Sequence, residues 1–449
     1  MNRRDFIKTS LAGAALAAFP RWGAGEEPPV APGKRPPNIV FIITDDLGVT
    51  DLSCYGGKQV KTPEVDRLAA EGVQCNQFYA TAPVCSPTRA SLFTGCYPKR
   101  VGMHVGVVLG KNYALHPDEV TLAEVLRARG YATHCIGKWH LGELPGTLPT
   151  EQGFDSYFGM AGANHGSSDL YEGAKVIERK GAVDLDQLTQ RYTAAAVKVI
   201  ERAREPFFLY LPHNWCHWPF HAAPQFRKSP AGKSSVYDMV KEIDWSVGQV
   251  MAALKKRNLD GNTLVVFTSD NGGYGSPHMG SLRGGKELTW EGGFRVPCLV
   301  RWPGRIKPGS TTDEMAFMFD WLPTLCQVTG AALPQRTLDG KDIWPLLTKQ
   351  GKTPHDHFVY YSRAGNAAAI RAGNWKLQVL PPDQNNKGPV SEPLPWLYDL
   401  AADPGEATNV AAKHPDVVVR LRRQLEETDA EITRQARPAL EGTRKRVKK

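Results

Sequence analysis

Several motifs that would assign this chain to a common class of protein are missing from it. The 449 residues contain eight cysteines but no Cys-x-x-Cys pair, which excludes zinc-ribbon spacing. Eight cysteines in a chain of this length are too few for a disulfide scaffold and leave room for one or two bridges. Gly-x-Ser-x-Gly, phosphate-loop and His-Glu-x-x-His motifs are also absent, which argues against several common hydrolases and nucleotide enzymes.

Long hydrophobic runs are absent too, and the one short run lies at the amino terminus. Arg3 and Arg4 precede an apolar run from Leu11 to Phe19 that is too short to span a bilayer. The pattern is similar to a twin-arginine export signal, so we predict a signal peptide over residues 1–25 and a proline-rich linker over 26–37. Because no later segment could anchor the chain in a membrane, we expect the twin-arginine translocation machinery to export a free periplasmic or extracellular protein.

The excess of positive charge is largely missing from the body of the chain. The formal net charge is +9, of which residues 1–25 carry +3 and residues 441–449 carry +4, which leaves +2 for residues 26–440. A basic end of this kind is usually solvated, so we predict a disordered tail over residues 441–449. We therefore expect no nucleic-acid partner.

Apolar β-branched segments alternate with amphipathic helical patterns over the first three quarters of the chain. Asn38 to Ile43 is typical of a strand buried on both faces. The other predicted strands are residues 131–136, 207–211 and 263–268, and the predicted helices are residues 63–71, 121–129, 188–203 and 237–257. This alternation predicts a mostly parallel sheet covered by helices on both faces.

The pattern changes after about residue 345. Short aromatic and β-branched segments predict antiparallel strands at residues 358–361, 368–371, 375–379 and 396–398, followed by a helix over residues 415–434. We therefore predict an α/β protein with a large mixed, mostly parallel sheet between helices in residues 38–345. A smaller α+β unit of antiparallel strands and a helix should follow in residues 346–440.

Two of the predicted parallel strands end on oxygen-rich side chains. Asp45 and Asp46 follow the first strand, and Asp270 and Asn271 follow the strand of residues 263–268. Ligands gather beyond the carboxyl ends of strands in open parallel sheets, and three carboxylates with one amide suit Ca²⁺ or Mg²⁺. Each pair also has a structural explanation as a helix cap or a turn. Their matching positions favour a metal site.

Cys85 stands at the start of a predicted helix. Ser86 is a good N-cap and Pro87 a suitable first residue, so we expect a helix over residues 88–94. Cys85 would then lie outside the positive end of the helix, where free N–H groups favour a thiolate or a bound oxyanion. A buried structural cysteine is the alternative, but the helix end and the nearby Arg89 favour a reactive one.

Residues 85–89, Cys-Ser-Pro-Thr-Arg, resemble the Cys-x-Pro-x-Arg signature of the sulfatase family, and residues 92–95 continue it. The resemblance implies an alkaline phosphatase-like fold and the hydrolysis of aryl or carbohydrate sulfate monoesters. It also implies that a formylglycine-generating maturation enzyme oxidises Cys85 to formylglycine (3-oxoalanine). One hydroxyl of the hydrated aldehyde would attack sulfur, and the other would collapse to release sulfate.

Further segments resemble family motifs residue by residue. Residues 38–48 and 267–273 are similar to the two metal strands of the family. The metal ligands that this resemblance implies are Asp45, Asp46, Asp270, Asn271 and the modified Cys85. Residues 137–142 resemble the lysine-histidine loop, which implies that Lys138 holds the sulfate and that His140 assists turnover. Residues 282–297 are close to a segment whose lysine, here Lys286, contacts sulfate.

The active histidine of the family precedes an aromatic residue and a proline, which selects His217, with His213 as the second choice. The cations expected around the sulfate are Arg89, Lys138 and Lys286, so transition-state stabilisation would be mainly electrostatic. We also expect Asp270 to help activate the nucleophile and a histidine or lysine to protonate the departing alcohol.

Two other functions remain open at this stage. The same architecture serves phosphate and phosphonate ester hydrolases, and a non-catalytic binding protein for sulfated glycans would keep Cys85 as a thiol. Four tryptophans beside the motifs could stack on sugar or aryl rings or could fill the core. They are Trp139, Trp215, Trp218 and Trp290.

Overall fold

A computed structural model describes residues 36–104, 112–163, 168–274, 278–382 and 393–442. The predicted signal peptide and most of the predicted linker and tail lie outside these residues. The strands are β1 (Asn38–Thr44), β2 (Val73–Tyr79), β3 (Tyr113–Ala114), β4 (Ala132–Ile136), β5 (Ser156–Met160), β6 (Leu170–Glu172), β7 (Lys175–Glu178), β8 (Phe207–Pro212), β9 (Thr263–Ser269), β10 (Arg295–Arg301), β11 (Ser310–Thr312), β12 (Ala316–Phe317), β13 (Phe358–Tyr361), β14 (Ala367–Ala372), β15 (Trp375–Gln378), β16 (Trp396–Asp399) and β17 (Leu440–Glu441). The α-helices are α1 (Pro63–Ala70), α2 (Cys85–Thr94), α3 (Leu122–Ala128), α4 (Leu188–Arg202), α5 (Val236–Lys256), α6 (Glu291–Phe294), α7 (Trp321–Thr329), α8 (Trp344–Leu347) and α9 (Pro415–Arg434).

The large sheet has the strand order β11-β2-β10-β9-β1-β8-β4-β5-β6-β7, with β12 also paired to β2. Its centre is parallel, because β1 pairs in parallel with both β8 and β9, and β4 pairs in parallel with β8 and β5. The antiparallel pairs lie on either side, where β10 joins β9 to β2 and where β6 and β7 follow β5. The predicted mixed, mostly parallel sheet is confirmed.

Strand β1 shows why helices cover both faces of this sheet. All seven of its residues are buried, and successive side chains of a strand point to opposite faces. Ile39, Phe41 and Ile43 enter a core that includes residues of α2, α3 and α7. Val40 and Ile42 enter a second core with residues of α1, α4 and α5. The predicted α/β class is therefore confirmed.

The carboxyl-terminal part forms a second, smaller sheet. Strands β13, β14, β15 and β16 pair in sequence and are all antiparallel. Leu421, Leu425 and Ile432 of α9 share a core with Phe358 and Ile370 of this sheet. The predicted small α+β unit is confirmed as an architecture, and its boundary near residue 345 stays a prediction.

Helix α2 begins earlier than the sequence suggested. Cys85 is its first residue and Val84, with extended backbone at φ −150° and ψ 155°, is the N-cap, so the expected start with Ser86 as N-cap was wrong. Pro87 is then the third residue, where its missing N–H costs no intrahelical hydrogen bond. Gly95 ends the helix at φ 67°, as its position predicted.

All eight cysteines belong to the described residues, and all are free thiols, so none of the bridges that the composition allowed is formed. Among the described residues, no helix has the length and apolar character that crossing a membrane requires.

Candidate active site

The segments that leave the parallel strands are held together at one edge of the large sheet. Beyond β1 and β9, the amide of Asp270 donates to the carbonyl of Thr44 at 3.1 Å. Beyond β4 and β8, the amide of Lys138 donates to the carbonyl of Pro212 at 2.8 Å. Gly137 permits this second contact, because its φ is 132° and a Cβ atom there would lie 1.9 Å from the Pro212 carbonyl oxygen. The four loops therefore meet at the carboxyl ends of the strands, where ligands bind in such sheets.

Cys85 meets the two carboxylates that follow β1. Its Sγ donates to Oδ1 of Asp45 at 3.0 Å and lies 4.0 Å from Oδ1 of Asp46. With His217, these three residues offer ligand atoms that all lie within 4.8 Å of one another. Asp46 has a φ of 62°, in the left-handed region that short polar residues tolerate better than bulky ones. The loop after β1 thus presents both carboxylates to the first turn of α2.

The second oxygen-rich pair reaches the same point from β9. Oδ1 of Asp270 accepts the backbone N–H of Asp46 at 3.3 Å, and Nδ2 of Asn271 donates to Oδ1 of Asp46 at 2.8 Å. This hydrogen bond fixes the Asn271 amide, whose buried Oδ1 has no hydrogen-bond partner among the described residues. An unpartnered carbonyl oxygen beside three carboxylates is a donor set that fits a hard cation such as Ca²⁺ or Mg²⁺. The residues present therefore suit the metal that the sequence suggested.

Three cations are buried with the three carboxylates, and each pairs with one of them. The pairs are Lys138 with Asp45, Lys286 with Asp46 at 2.7 Å, and Arg89 with Asp270 at 2.8 Å. Arg89 also donates to the backbone carbonyl of Lys138 at 2.8 Å, which ties α2 to the loop after β4. The cluster is balanced in charge, so a divalent cation added to it would leave a net positive site that attracts an anion.

Lys286 lies in the long segment between β9 and β10. Its backbone N–H donates to the Gly273 carbonyl at 3.0 Å, and the N–H of Glu287 donates to the Pro83 carbonyl at 2.8 Å. The segment is therefore attached both to the loop of Asn271 and to the loop that precedes α2.

The carboxylates differ in their affinity for protons. Burial would raise the pKa of Asp45, but Lys138, together with Arg89 and Lys286, holds this pKa well below its usual range. Burial and the charge of Asp45 raise the pKa of Asp270 to about 7, although Arg89 opposes the shift. Asp45 is thus an ionised carboxylate, whereas Asp270 can carry a proton near neutral pH.

The thiol of Cys85 does not match the sequence expectation of a thiolate. Burial, Asp270 and Asp45 raise its pKa well above the usual value. Lys138 and Lys286 oppose this shift but do not outweigh it. Cys85 is therefore a neutral thiol here, because burial, with the nearby carboxylates adding to it, outweighs the helix dipole on which the sequence expectation rested.

Two histidines lie near the carboxylates. Both ring nitrogens of His140 are buried without a hydrogen-bond partner among the described residues. Burial and the neighbouring Lys138 lower its pKa well below the usual value. Nε2 of His217 lies 3.8 Å from Oδ2 of Asp46, and burial lowers the pKa of His217 to about 3 despite the charge of Asp45. Both rings are therefore neutral.

The second-choice histidine, His213, belongs to the core. Its Nε2 lies 3.3 Å from the hydroxyl of Ser246 on α5, and that hydroxyl accepts from Thr193 on α4 at 2.6 Å. Burial lowers the pKa of His213 to about 4. Of the two candidates, the structure brings His217, and not His213, to the carboxylates.

Three supporting residues were missed from the sequence. Ser269 accepts the N–H of Leu47 at 3.0 Å, and Asp51 accepts the N–H of Gly48 at 2.9 Å, so both brace the turn after Asp46. Asp51 is in turn 2.6 Å from Nδ1 of His278. Ser269 could have been found next to Asp270, whereas nothing local links Asp51 to a histidine 227 residues away.

The tryptophans beside the motifs are mostly core residues. Trp139 is buried and donates its indole N–H to the Thr147 carbonyl at 2.8 Å. Trp215 and Trp290 are also buried. Trp218 differs, because 58% of it is exposed.

The chain matches known protein families over most of its length. The sequence model described as Sulfatase matches residues 37–331, and the one described as N-sulphoglucosamine sulphohydrolase, C-terminal, matches residues 285–431. Residues 1–20 match the TAT (twin-arginine translocation) pathway signal sequence, so the chain carries an export signal.

Arylsulfatase A of Homo sapiens is 36% identical over 446 residues, covering 87% of this chain and 87% of that protein. N-acetylgalactosamine-6-sulfatase of Sus scrofa is 32% identical over 472 residues, covering 91% of this chain and 89% of that protein. The crystal structure of PsFucS1 sulfatase from Pseudoalteromonas sp. is similar with a TM-score of 0.79 and 27% identity, covering 91% of this chain and 92% of that one. The chain belongs to the sulfatase family and is a sulfuric ester hydrolase.

Proposed function

We propose that this sulfatase acts through a formylglycine at position 85, next to a divalent cation held by the side chains that follow β1 and β9. The observation that carries the proposal is the meeting of Cys85 with Asp45 and Asp46, 3.0 and 4.0 Å from its sulfur, beside the unpartnered oxygen of Asn271. Carboxylate and amide oxygens suit Ca²⁺ or Mg²⁺, whereas a thiol is a poor ligand for these cations. Replacing sulfur by oxygen at residue 85 would complete an all-oxygen donor set.

The modification has to be made by another protein. Conversion of the CH₂–SH group to CHO takes up one water, releases sulfide and two protons, and removes two electrons from Cβ. We infer a maturation enzyme that supplies a two-electron oxidant. Because Cys85 is buried, this enzyme would act on the chain before it folds.

The cations of the chain would bind the sulfate group of the substrate. When bound, the metal neutralises charge on sulfate oxygens, and the hydrated aldehyde offers a hydroxyl nucleophile on a carbon that can return to the aldehyde. Arg89, Lys138 and Lys286 surround the same position with three fixed positive charges. Such preorganised charges stabilise the negative charge that develops on the sulfate oxygens as the ester bond breaks. Overall, the S–O bond to the alcohol is cleaved, water supplies the new oxygen on sulfur, and one proton goes to the alcohol.

The proton for the alcohol would come from the open side of the site. His217 and Lys286 both approach Asp46, and both are linked to exposed aromatic residues, Trp218 and Tyr274. His140 is buried near Lys138 and Asp45, and both of its ring nitrogens lack a hydrogen-bond partner among the described residues. Because the His217 ring is neutral and Lys286 is protonated, we assign proton delivery to Lys286 and proton exchange with residue 85 to His140.

The export signal and the oxygen donor set also support assignments of the compartment and of the metal ion. We propose that the mature enzyme works in the periplasm and that its resident cation is Ca²⁺, with Mg²⁺ as the alternative.

The test combines mass spectrometry with turnover. Protein produced with a maturation enzyme should yield a residue-85 peptide with the mass of the aldehyde and should release sulfate from 4-nitrophenyl sulfate faster than phosphate from 4-nitrophenyl phosphate. Cys85→Ala should fold and lose turnover. An unmodified thiol in fully active enzyme would contradict the proposal, and preferred release of phosphate would assign the chain to phosphate ester chemistry instead.

A further inference from the structure

The loop that carries Lys286 packs on the small carboxyl-terminal sheet through one tryptophan. This loop, residues 283–292, is called here the Lys286 loop, and it is closed by the N–H of Gly292, which donates to the carbonyl of Arg283 at 2.8 Å. Cζ of Arg283 lies 3.9 Å from the centroid of the Trp290 ring, and Trp396 of β16 stacks on that ring with centroids 5.7 Å apart and planes within 3°. Both tryptophans are buried. Trp290 therefore joins the base of the Lys286 loop to β16.

The Lys286 loop shares a small hydrophobic cluster with the same strand. Besides Trp290, the buried members of this cluster are Trp396, Tyr398 and Leu400, which lie in β16 or directly after it. The rings of Trp290 and Tyr398 have centroids 5.9 Å apart, and Leu288 of the loop packs against the cluster as well. The cluster is separate from the two cores of the large sheet, so the small sheet supplies this apolar support.

The backbone at the tip of the loop depends on support of this kind. Glu287, which follows Lys286, has a φ of 73°, in a region that residues with a Cβ atom rarely adopt. Such a conformation costs free energy and persists only where the surrounding structure fixes it. The N–H groups of Lys286 and Glu287 are bound to two neighbouring loops, which fixes the tip, and Nζ of Lys286 lies 2.7 Å from Oδ2 of Asp46. The stack of Trp290 on Trp396 fixes the base.

We propose that Trp396 is a positioning residue for the sulfatase reaction, because it holds the loop that keeps Lys286 beside Asp46. Trp396 acts through Trp290, and the small carboxyl-terminal sheet thereby contributes to sulfate binding. This inference rests on the proposed function for the role of Lys286, which is to bind the sulfate group. Loss of the stack lowers the fraction of molecules in which Lys286 is in place, and the apparent affinity for sulfate falls in proportion.

The test is a double-mutant cycle on the binding of inorganic sulfate. Dissociation constants are measured by titration calorimetry in the Ca²⁺-loaded Cys85→Ala protein, so that binding is separated from turnover. Lys286→Met should weaken sulfate binding by at least about 10-fold, because a charged hydrogen bond is lost. Trp396→Ala should weaken it by about 3- to 10-fold. In the Lys286→Met background, Trp396→Ala should change the constant by less than about 2-fold, because the lysine through which Trp396 acts is gone.

Trp396→Phe should retain most of the affinity, because it keeps an aromatic ring against Trp290. Where Trp396→Ala does not fold, Trp396→Leu keeps apolar bulk, loses the stacking ring and should show the same dependence on Lys286. Trp375→Ala is the matched control, because Trp375 lies on the neighbouring strand β15 and its ring is 4.8 Å from that of His414. It should change the constant by less than about 2-fold.

Two results would overturn the positioning role of Trp396. One is an unchanged sulfate affinity in Trp396→Ala while Lys286→Met loses affinity, and the other is an equal loss from Trp396→Ala with and without Lys286. Failure of the proposed function has different signatures. Unchanged sulfate affinity in Lys286→Met would remove the sulfate-binding role of that lysine and this inference with it, and an unmodified Cys85 in active enzyme would contradict the formylglycine independently of these constants.

Discussion

The protein contains two clusters of buried charge, one at the candidate active site and one between the two sheets, and they differ in how completely their polar atoms are paired. The first is called here the active-site cluster. Its charged members are Asp45, Asp46, Asp270, Arg89, Lys138 and Lys286. The second joins the large sheet to the small carboxyl-terminal sheet and is called here the interface cluster. Its charged members are Glu291, Arg371, Lys376 and Glu406, all buried. Both clusters are balanced in charge, so neither burial nor net charge tells them apart.

The interface cluster is joined by hydrogen bonds between its own members. Glu291 of α6 accepts from the hydroxyls of Tyr79 at 2.7 Å and Tyr360 at 2.8 Å, and from Lys376 at 3.1 Å. Lys376 also lies 2.8 Å from Glu406, whose other oxygen accepts the backbone N–H of Glu291 at 2.7 Å. These bonds connect β2, α6, β13 and β15, so the cluster holds the two sheets together.

The active-site cluster has polar atoms left over. Both ring nitrogens of His140 and the side-chain oxygen of Asn271 are buried without a hydrogen-bond partner among the described residues. A buried polar atom without a partner is costly, and it is tolerated where a ligand will satisfy it. In the interface cluster the one oxygen without a hydrogen bond, Oε1 of Glu406, faces Lys376 at 2.8 Å, so the two clusters differ in their unpartnered neutral atoms rather than in their charges.

The largest effect should come from removing a carboxylate of the active-site cluster. Asp46→Asn should lower kcat/KM by at least about 10³-fold, because it weakens both the metal site and the placement of Lys286. Ca²⁺ should raise the thermal midpoint of the wild type, and Asp46→Asn should abolish this rise, which is measured by calorimetry. Glu406→Gln is the control and should retain the rise. Activity within tenfold of the wild type would contradict the assignment of Asp46.

Two equivalent lysine substitutions, one in each cluster, should differ in their effect on kcat/KM. Lys286→Met should lower kcat/KM by about 10²- to 10³-fold, because one of three charges around the sulfate is lost. Lys376→Met, measured where both variants are folded, should change kcat/KM by less than about threefold. Steady-state kinetics on a sulfate ester provides the comparison, and similar losses in both variants would show that the two clusters do not differ as described.

The effect of the same two substitutions on stability should rank in the opposite order, with the larger loss in Lys376→Met. Lys376→Met leaves Glu291 and Glu406 together without their shared cation, so it should lower the free energy of unfolding by about 3–5 kcal/mol. Denaturant titration of the metal-free protein measures this loss. A fall below about 1 kcal/mol would mean that the interface cluster contributes little to holding the sheets together.

The carboxylates of the active-site cluster could be predicted from sequence because they follow strand ends, whereas Lys138 and Lys286 were expected only from the resemblance to the sulfatase family. Asp45 and Asp270 each come after a buried apolar strand, and the ends of neighbouring parallel strands share one edge of the sheet. The start of α2 was misjudged because Pro87 is tolerated anywhere in the first turn, so its position does not identify the first residue.

The interface cluster had no comparable signal. Glu291 and Lys376 are 85 residues apart, and Glu291 and Glu406 are 115 residues apart. Their spacing follows no helical or strand period, and only the packing of the small sheet on α6 brings them together. A sequence pattern can locate residues that lie at the ends of neighbouring parallel strands. It cannot locate ion pairs that form only when separate units pack together.

The smallest effect should be the pH dependence of the interface cluster. Burial raises the pKa of Glu406 to about 7, with Glu291 adding to the shift and Lys376 opposing it. The folded state therefore keeps a proton that the unfolded chain loses near its ordinary pKa of about 4.5. This contribution to the free energy of unfolding is complete below about pH 4.5 and is lost as the pH rises through about 7, a fall of about 1–3 kcal/mol. Denaturant titrations from pH 5 to pH 8 should show a smaller fall in Glu406→Gln than in the wild type, and an equal fall in both would mean that Glu406 is ionised throughout this range.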